Sequence, residues 1–341
     1  MKVTVLIAVY NTEKYLRQCL ESLSCQSMAD FEALCVDDCS TDGSLTILRK
    51  YAAGDSRFKI FHLSDNHGQA YARNYALKYA KGEYVCFLDS DDFLSPDALQ
   101  SAISIYNQYP NTDSVLFHVK LQYPNHSESY QMKDFDVLDG RDAFVQSLTW
   151  KIHGIYITRT SINKKYPYDE SSHAYSDDNT TRLHYFASHE VRLCPGIYYY
   201  RQHSNSGAHK IEVHRFDYMR ANDSMARILR NLKVEKNLIN IYENVRWVVM
   251  VDSYQFYFLH HKELSLEDAK YGLNEIRRVW SSIDTSVLKP RYSCKLGYIP
   301  FRSSHHTYKI SWTLFRIQEY IYFTLKKFKS KLSCYIERHR P

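Results

Sequence analysis

The 341-residue chain has no Cys-x-x-Cys pair, no cysteine at ligand spacing from a histidine, and no internal repeat or low-complexity tract. A structural zinc site needs closely spaced ligand pairs, so none is expected, and the adjacent pairs His260-His261 and His305-His306 would face different ways on a helix. No structural metal is expected at all. The chain also lacks an uninterrupted apolar run of about 18 to 20 residues, the length needed to span a bilayer. The opening run MKVTVLIAVYN is too short for a signal-peptide core, no small-residue cleavage site follows it, and it reads as a first β-strand. Between Ala8 and Arg17 there is no glycine, which argues against the early glycine-rich phosphate loop that a sugar nucleotidyltransferase would want. Several of the eight cysteines (Cys19, Cys25, Cys35, Cys39, Cys86, Cys194, Cys294 and Cys334) sit in apolar periodic segments, where a thiol behaves as a small hydrophobe. A reducing compartment is expected.

What is present is an ordinary globular composition, 44% hydrophobic and 24% charged, long enough for one large domain and an appendage. The 30 tyrosines suit contact with carbohydrate, nucleotide or a membrane interface, and equally suit amphipathic filling of core and surface. The net charge of +6 is unevenly placed. From His305 to Pro341, eight basic residues stand against Glu319 and Glu337, so this tail carries the whole excess and the rest of the chain is neutral. A basic tail on a neutral body points to a polyanionic surface, membrane phospholipid or nucleic acid.

The first hundred residues alternate strand and helix. Lys2 to Val9, Phe31 to Val36, Phe58 to Leu63 and Glu83 to Leu88 read as strands. Between them lie a helix with Leu16, Cys19, Leu20 and Leu23 on one face, another with Leu45, Leu48 and Ala52 inward, and an alanine-rich one launched by Asn66-His-Gly68. Ser95, followed by Pro96 at the first helical position, is expected to cap the next. Such βαβα alternation means an α/β unit with a mostly parallel sheet and ligands at the carboxyl ends of its strands. Short strands follow near Val115 to Lys120, Ile155 to Thr158 and Val191 to Tyr200, with a loop at Leu121 to Asp139; three helices are expected near Val213 to Asn231, Leu238 to Leu259 and Leu266 to Trp280.

The fourth strand runs into Cys86-Phe-Leu-Asp-Ser-Asp-Asp92, three carboxylates within four residues. Like charges this close resist ionising together unless something positive sits among them. Asp-x-Asp at a strand end can hold a divalent cation bonded in turn to phosphate, supply a phosphatase nucleophile from Asp89, or cap the next helix.

Its company favours the cation. Ala8-Val-Tyr-Asn11, Val36-Asp-Asp-Cys-Ser-Thr-Asp-Gly-Ser44, Asn66-x-Gly68 with Ala72-Arg-Asn74, Lys81-Gly-Glu-Tyr84 and Phe87-Leu-Asp-Ser-Asp-Asp92 follow one another over roughly residues 1 to 110. In that order and spacing they resemble the N-terminal half of family-2 glycosyltransferases. The resemblance implies a GT-A fold: a Rossmann-like nucleotide-diphospho-sugar transferase domain over 1–210, divided into a nucleotide-sugar half (1–110) and an acceptor half (111–210). A helical C-terminal region over 211–304 would follow.

It also implies roles. Asp38 would accept the N3–H of uracil or thymine, favouring a UDP- or dTDP-sugar donor; Tyr10 would contact the base, with Ala8 leaving backbone close to the nucleoside. Arg73 would face the aspartates or the diphosphate. Asp89 would bind ribose hydroxyls or share the metal, Asp91 would hold Mg2+ or Mn2+, and Asp92 would support metal or sugar. Asp178 aligns with the catalytic base, with Asp177 supporting it or standing in for it; capping of the following helix by Ser176 or Asp177 is the competing reading. Trp150 and Lys151 resemble acceptor-side residues. In Tyr200-Arg-Gln-His-Ser-Asn-Ser206, His203 would meet the metal or diphosphate and Arg201 the phosphates.

The whole implies an inverting, metal-dependent enzyme acting on a lipid-linked glycan in bacterial surface polysaccharide assembly. The rival readings are a sugar nucleotidyltransferase, and a nucleotide-sugar or polysaccharide binding protein that has lost catalysis. In the tail (305–341), Ile310, Leu314, Ile317, Ile321, Leu325, Phe328, Leu332 and Tyr335 recur at steps of three and four, widened by Trp312, Tyr320, Tyr322 and Phe323, with lysines between. This is the pattern of a basic amphipathic helix lying on an anionic membrane surface. The expected location is cytoplasmic, at the inner face of the cytoplasmic membrane, with no nucleic-acid partner; residues 213–280 offer a surface for a homodimer. A helix packed back onto the protein is the alternative for the tail.

Overall fold

The computed structural model describes residues 1–171, 176–203, 211–301 and 308–338. Tyr175, residues 204–206 and the start of the tail at 305–307 lie outside them. The chain divides into two compact units, Met1–His209 and Lys210–Pro341.

In the first unit β1 (Val3–Val9), α1 (Glu13–Ser24), β2 (Phe31–Asp37), α2 (Ser44–Gly54), β3 (Phe58–His62), α3 (Gln69–Leu77) and β4 (Tyr84–Phe87) follow the expected alternation. Next come β5 (Phe93–Leu94), α4 (Ala98–Gln108), β6 (Thr112–Gln122), β7 (Ser127–Ser129), β8 (Val137–Asp139), α5 (Gly140–Ser147), β9 (Tyr156–Arg159), α6 (Thr160–Lys165), α7 (Ser176–Ala187) and β10 (Glu190–Arg201). The strands form one sheet in the order β3-β2-β1-β4-β9-β6-β10-β5, with β7 on β6 and β8 on β10. Strands β3, β2, β1 and β4 pair in parallel, as do β6 and β10; β9 runs antiparallel between β4 and β6.

Strand alternation decides which layer each side chain joins. Val3, Val5, Ile7 and Val9 of β1 bury against Leu16, Cys19, Leu20 and Leu23 of α1 and against Leu99, Ala102 and Ile103 of α4. Leu6, Leu34, Val36 and Phe87 point the other way, onto Ala70, Ala72 and Ala76 of α3, whose small side chains let the helix lie close. Further along that face, Leu116 and Tyr156 meet Ala143 and Tyr185. The result is a helix–sheet–helix sandwich with the carboxyl ends of β1, β2 and β4 at one edge.

Two local details differ from the sequence expectation, and a third ties the first helix to the acidic turn. The region expected as a loop over Leu121 to Asp139 contains β7 and β8, both short and largely exposed, so no burial pattern announces them. Ser95 does not cap a helix; its hydroxyl donates to Asp97, the residue at the N-cap of α4, and accepts from the Ile197 backbone. Thr12 precedes α1 without capping it and instead hydrogen-bonds Ser90, tying α1 to the acidic turn after β4.

The second unit is helical: a 3-10 turn at Val213–Phe216, α8 (Asp217–Asn231), α9 (Lys236–His260), α10 (Leu266–Ser282), a 3-10 turn at Thr285–Val287, α11 (Pro290–Ser293) and α12 (Tyr308–Arg338). Its core joins Trp247, Met250 and Tyr254 of α9, Ile276, Val279 and Trp280 of α10, and Trp312, Phe315 and Phe323 of α12. The tail helix is therefore part of this unit's core through one of its faces. A buried Arg246 is matched by Glu243, Asn222 and Ser282 at 2.6–2.9 Å, which satisfies a charge the core could not otherwise hold. No helix among the described residues is long and apolar enough to cross a membrane.

Candidate active site

The site lies where β1, β2 and β4 end and where β10 returns past β5. Asn11, just after β1 at φ 51°, accepts from the Thr41 backbone at 2.8 Å and pins the loop after β2 to the end of β1. Asp38 is buried, and its two carboxylate oxygens accept the backbone N–H groups of His67 (2.9 Å) and Gly68 (2.7 Å). Gly68 sits at φ 89°, a conformation that a side chain disfavours, and there the chain turns into α3. Asp38 thus holds the loop that aims α3 at the carboxylates. Beside it Ala8 is half-buried, while Tyr10 is 50% exposed, its ring open to solvent.

Each of the three aspartates after β4 has its own partner. Asp89 accepts from the Arg73 guanidinium at 2.5 Å and from Gln69 at 2.8 Å. Arg73 is itself buried, its guanidinium stacked 4.1 Å over Phe87 and 5.3 Å from Tyr168. Asp91 accepts from His203 Nε2 at 2.9 Å, and the His203 ring stacks on Tyr15 at 4.6 Å. Asp92 is fully buried and takes the Tyr198 hydroxyl and the Arg201 backbone N–H, both at 2.7 Å. Arg201 completes the frame, donating to the Asp91 carbonyl (2.7 Å) and to Gln18 of α1 (2.6 Å).

The electrostatics follow this division. Burial pushes the Asp89 carboxyl up to about 6, Arg73 opposes the rise, and Asp91 and Asp177 add to it. Asp92 is raised well above the usual carboxylate range by burial and then by its two acidic neighbours, against the pull of the Arg201 N–H and Tyr198. Enclosed and fully engaged, Asp92 braces the turn. Asp91 and Asp89 keep open surface, with side chains 29% and 24% exposed.

Asp177 and Asp178 open the first turn of α7, where the helix dipole favours negative charge. The Asp177 charge acts on Arg73, Asp89 and Tyr156, so this helix end faces the acidic cluster. Asn179 and Thr180 tie it to Asp169 at 2.9 and 3.1 Å. Deeper in α7, His184 is locked between the Tyr156 hydroxyl (2.6 Å) and the Tyr166 carbonyl (2.7 Å), and burial lowers it to about 4, keeping the imidazole neutral. Trp150, at φ 57°, and Lys151 are exposed on the loop after α5, with Arg182 placed 5.7 Å over the Trp150 ring.

Among the described residues, no three His, Cys, Asp or Glu side chains form a ready-made metal cage. The residues present nonetheless fit a cation that brings its remaining ligands with it. Asp91 offers a partly exposed hard oxygen, and the buried His203 Nδ1 has no hydrogen-bond partner among the described residues. Divalent magnesium and manganese are commonly held by one or two carboxylates plus substrate phosphates.

Sequence reasoning named the acidic cluster and its basic neighbours but missed Gln69, Tyr15, Gln18 and Tyr198. Gln69 was legible as the first residue of a helix aimed at the site. Tyr198 offered only the alternation of β10, which turns it inward while Tyr199 stacks outward on Phe93.

A mostly parallel α/β sheet with a carboxylate cluster at its strand ends, faced by a second acidic helix end, defines a GT-A nucleotide-sugar transferase fold. The glycosyl transferase family 2 model matches residues 4–169. Glycosyltransferase GlyG of Streptococcus pneumoniae is 31% identical over 222 residues, 60% of this chain and 72% of GlyG. The chain belongs to glycosyl transferase family 2. A putative glycosyltransferase of Bacillus subtilis, EpsH, is 29% identical over 63% of the chain and 65% of its own length. Staphylococcus aureus TarS, a poly(ribitol-phosphate) beta-N-acetylglucosaminyltransferase, is 39% identical over 35% of the chain but only 21% of TarS. The match thus spans less than two thirds of each of these two relatives. The crystal structure of S. aureus TarS 1–349 in complex with UDP-GlcNAc superposes with a TM-score of 0.73 at 22% identity, covering 95% of this chain and 92% of that one, a likeness of fold.

Proposed function

We propose that this glycosyltransferase moves a sugar from a UDP- or dTDP-sugar, with inversion, onto a hydroxyl of a lipid-linked glycan in bacterial surface polysaccharide synthesis. The observation that carries the reading is the division of labour among the aspartates: Asp92 is sealed inside, Asp89 is held by the Arg73 guanidinium, and Asp91, partly exposed, meets His203 with no arginine of the described residues on its carboxylate. The name of TarS, a poly(ribitol-phosphate) transferase, supports a polymeric acceptor, and the UDP-GlcNAc complex of TarS supports a uridine donor.

Asp38 and the exposed Tyr10 lie at the ends of the strands that would receive the base and nucleoside. Asp91 and His203 would hold Mg2+ or Mn2+ together with the donor diphosphate, and a cation there would supply charge stabilisation of the leaving group. Asp178, with Asp177 beside it, accepts the proton of the incoming hydroxyl. That oxygen attacks the anomeric carbon as the bond to the diphosphate breaks on the opposite side. One displacement without an enzyme nucleophile inverts the centre. Trp150, Lys151 and Arg201 belong to the acceptor and diphosphate side.

A thermal-shift panel of UDP-, dTDP-, CDP- and GDP-sugars, each with and without Mn2+, tests this reading. Stabilisation by a uridine or thymidine donor that grows when Mn2+ is added is expected. Equal response to CDP-sugars, or no effect of the metal, contradicts it.

A further inference from the structure

Helix α12 has two apolar faces, and only one of them is used. Trp312, Phe315 and Phe323 enter the core of the helical unit. On the other side Ile310, Leu314, Ile317, Ile321 and Leu325 recur at steps of four, three, four and four, flanked by Tyr320. They are 53%, 37%, 51%, 46% and 57% exposed, and Tyr320 63%. Singly exposed apolar residues are ordinary, but a continuous stripe along four helical turns marks a contact surface.

The charges that α12 itself exposes beside the stripe are of one sign, and Asp252 of α9, an acid from another helix, acts on Lys326. Lys309, Arg316 and Lys326 are exposed on the same helix, while its one acidic residue in this stretch, Glu319, is turned into the core with no exposure. The chain then continues through Lys327, Lys329 and Lys331. Two copies of such a face, brought together by a two-fold axis, would oppose basic residues of the same kind, and among the described residues α12 itself brings no exposed acid to offset them. A bilayer with anionic headgroups offers what both features need: acyl chains for the stripe and phosphates for the lysines.

We infer that the outward face of α12, formed by Ile310, Leu314, Ile317, Tyr320, Ile321 and Leu325 with Lys309 and Lys326, docks in the plane of an anionic phospholipid bilayer. The helix lies in the interface and does not cross it, its lysine stems running along the apolar boundary to the headgroups. The face is independent of the catalytic reading, since no residue of it belongs to the candidate site. It gives the enzyme a stable address on the membrane surface, the inner face of the cytoplasmic membrane if the acceptor is built there.

The test is co-sedimentation of the full chain with vesicles of equimolar phosphatidylglycerol and phosphatidylcholine, against phosphatidylcholine alone. Binding to the anionic vesicles should be at least about tenfold tighter and should weaken as salt rises. Ile310→Asn with Ile317→Asn and Ile321→Asn should lower it by about tenfold or more, with circular dichroism and unfolding midpoint unchanged because these side chains face solvent. Lys309→Gln with Lys326→Gln should flatten the salt dependence. Should the triple variant fold poorly, Leu325→Asn alone must still reduce binding. Unchanged binding of the folded isoleucine variant, no preference for anionic lipid, or a dimer of the wild-type chain that this variant converts to monomer would overturn the inference.

Discussion

The Arg73 guanidinium donates to Asp89 at 2.5 Å from inside the protein, packed on the ring of Phe87 rather than standing in solvent. The first carboxylate after β4 therefore has a permanent cation in the protein itself. Removing that cation leaves a partly buried carboxylate unmatched, which is costly. Arg73→Ala should lower unfolding free energy by about 3 kcal/mol, and Arg73→Lys should recover only part because an ammonium neither stacks nor forks. Chemical denaturation checks this; a loss within about 0.5 kcal/mol for the alanine variant contradicts it.

Tyr198 bridges the turn, accepting from the Asp89 backbone N–H at 3.2 Å and donating to Asp92 at 2.7 Å. Tyr198→Phe keeps the ring in the core but leaves Asp92 short of a donor. A loss of about 1–3 kcal/mol is expected in urea unfolding, with a lower kcat from a loosened Asp91. Full activity at unchanged stability would show that the bridge is dispensable.

Gly82 precedes β4 where the chain runs against β1. A Cβ there would lie 2.5 Å from the Thr4 backbone nitrogen and 2.7 Å from the Val3 carbonyl carbon, and backbone cannot step aside. Gly82→Ala should cost more than about 3 kcal/mol or leave the protein insoluble. An alanine variant with a wild-type melting curve would contradict the packing.

Glu319 faces the core of the helical unit with Oε2 unpartnered, and burial raises its carboxyl to about 8. The fold therefore binds a proton that the unfolded chain releases near the ordinary carboxylate value, so its contribution is fully present at low pH and is lost as pH rises towards 8. Glu319→Gln should match wild type near pH 5 and be more stable by about 3 kcal/mol near pH 8.5. Unfolding of both chains across pH 5–9 measures the gap; a constant difference contradicts the assignment.

Much of the fold was legible because β1 to β4 and α1 to α3 each carry their own period, alternate or continuous in the strands and i, i+3, i+4 in the helices. Strands β5, β7 and β8 were not, being two or three residues long and defined by pairing with β6 or β10 rather than by their own side chains. In the site, Asp89, Asp91 and Asp92 read as a cluster because they are neighbours in sequence. Their partners are not: Arg73 is 16 residues from Asp89, and His203 is 112 from Asp91, so the pairing depends on strand order. The sequence suggested a metal as the counterion and left Arg73 facing either the aspartates or the diphosphate; the structure sets Arg73 on Asp89 and hydrogen-bonds His203 to Asp91, and the place proposed for a cation narrows to Asp91. The two faces of α12 merged into one broad apolar side in the sequence, since only α9 and α10 decide which rings are covered.

The central claim is that Asp178 removes the proton while Asp91 serves the leaving diphosphate. Its most direct measurement is single-turnover transfer from the donor chosen by the thermal-shift panel, with the anomeric configuration of the product read by NMR, for wild type, Asp178→Asn and Asp91→Asn. The account predicts an inverted product, a fall of about a thousandfold or more for Asp178→Asn with donor affinity retained, and for Asp91→Asn a loss of the Mn2+ enhancement of donor binding. A retained anomer, or Asp178→Asn turning over near the wild-type rate, contradicts it.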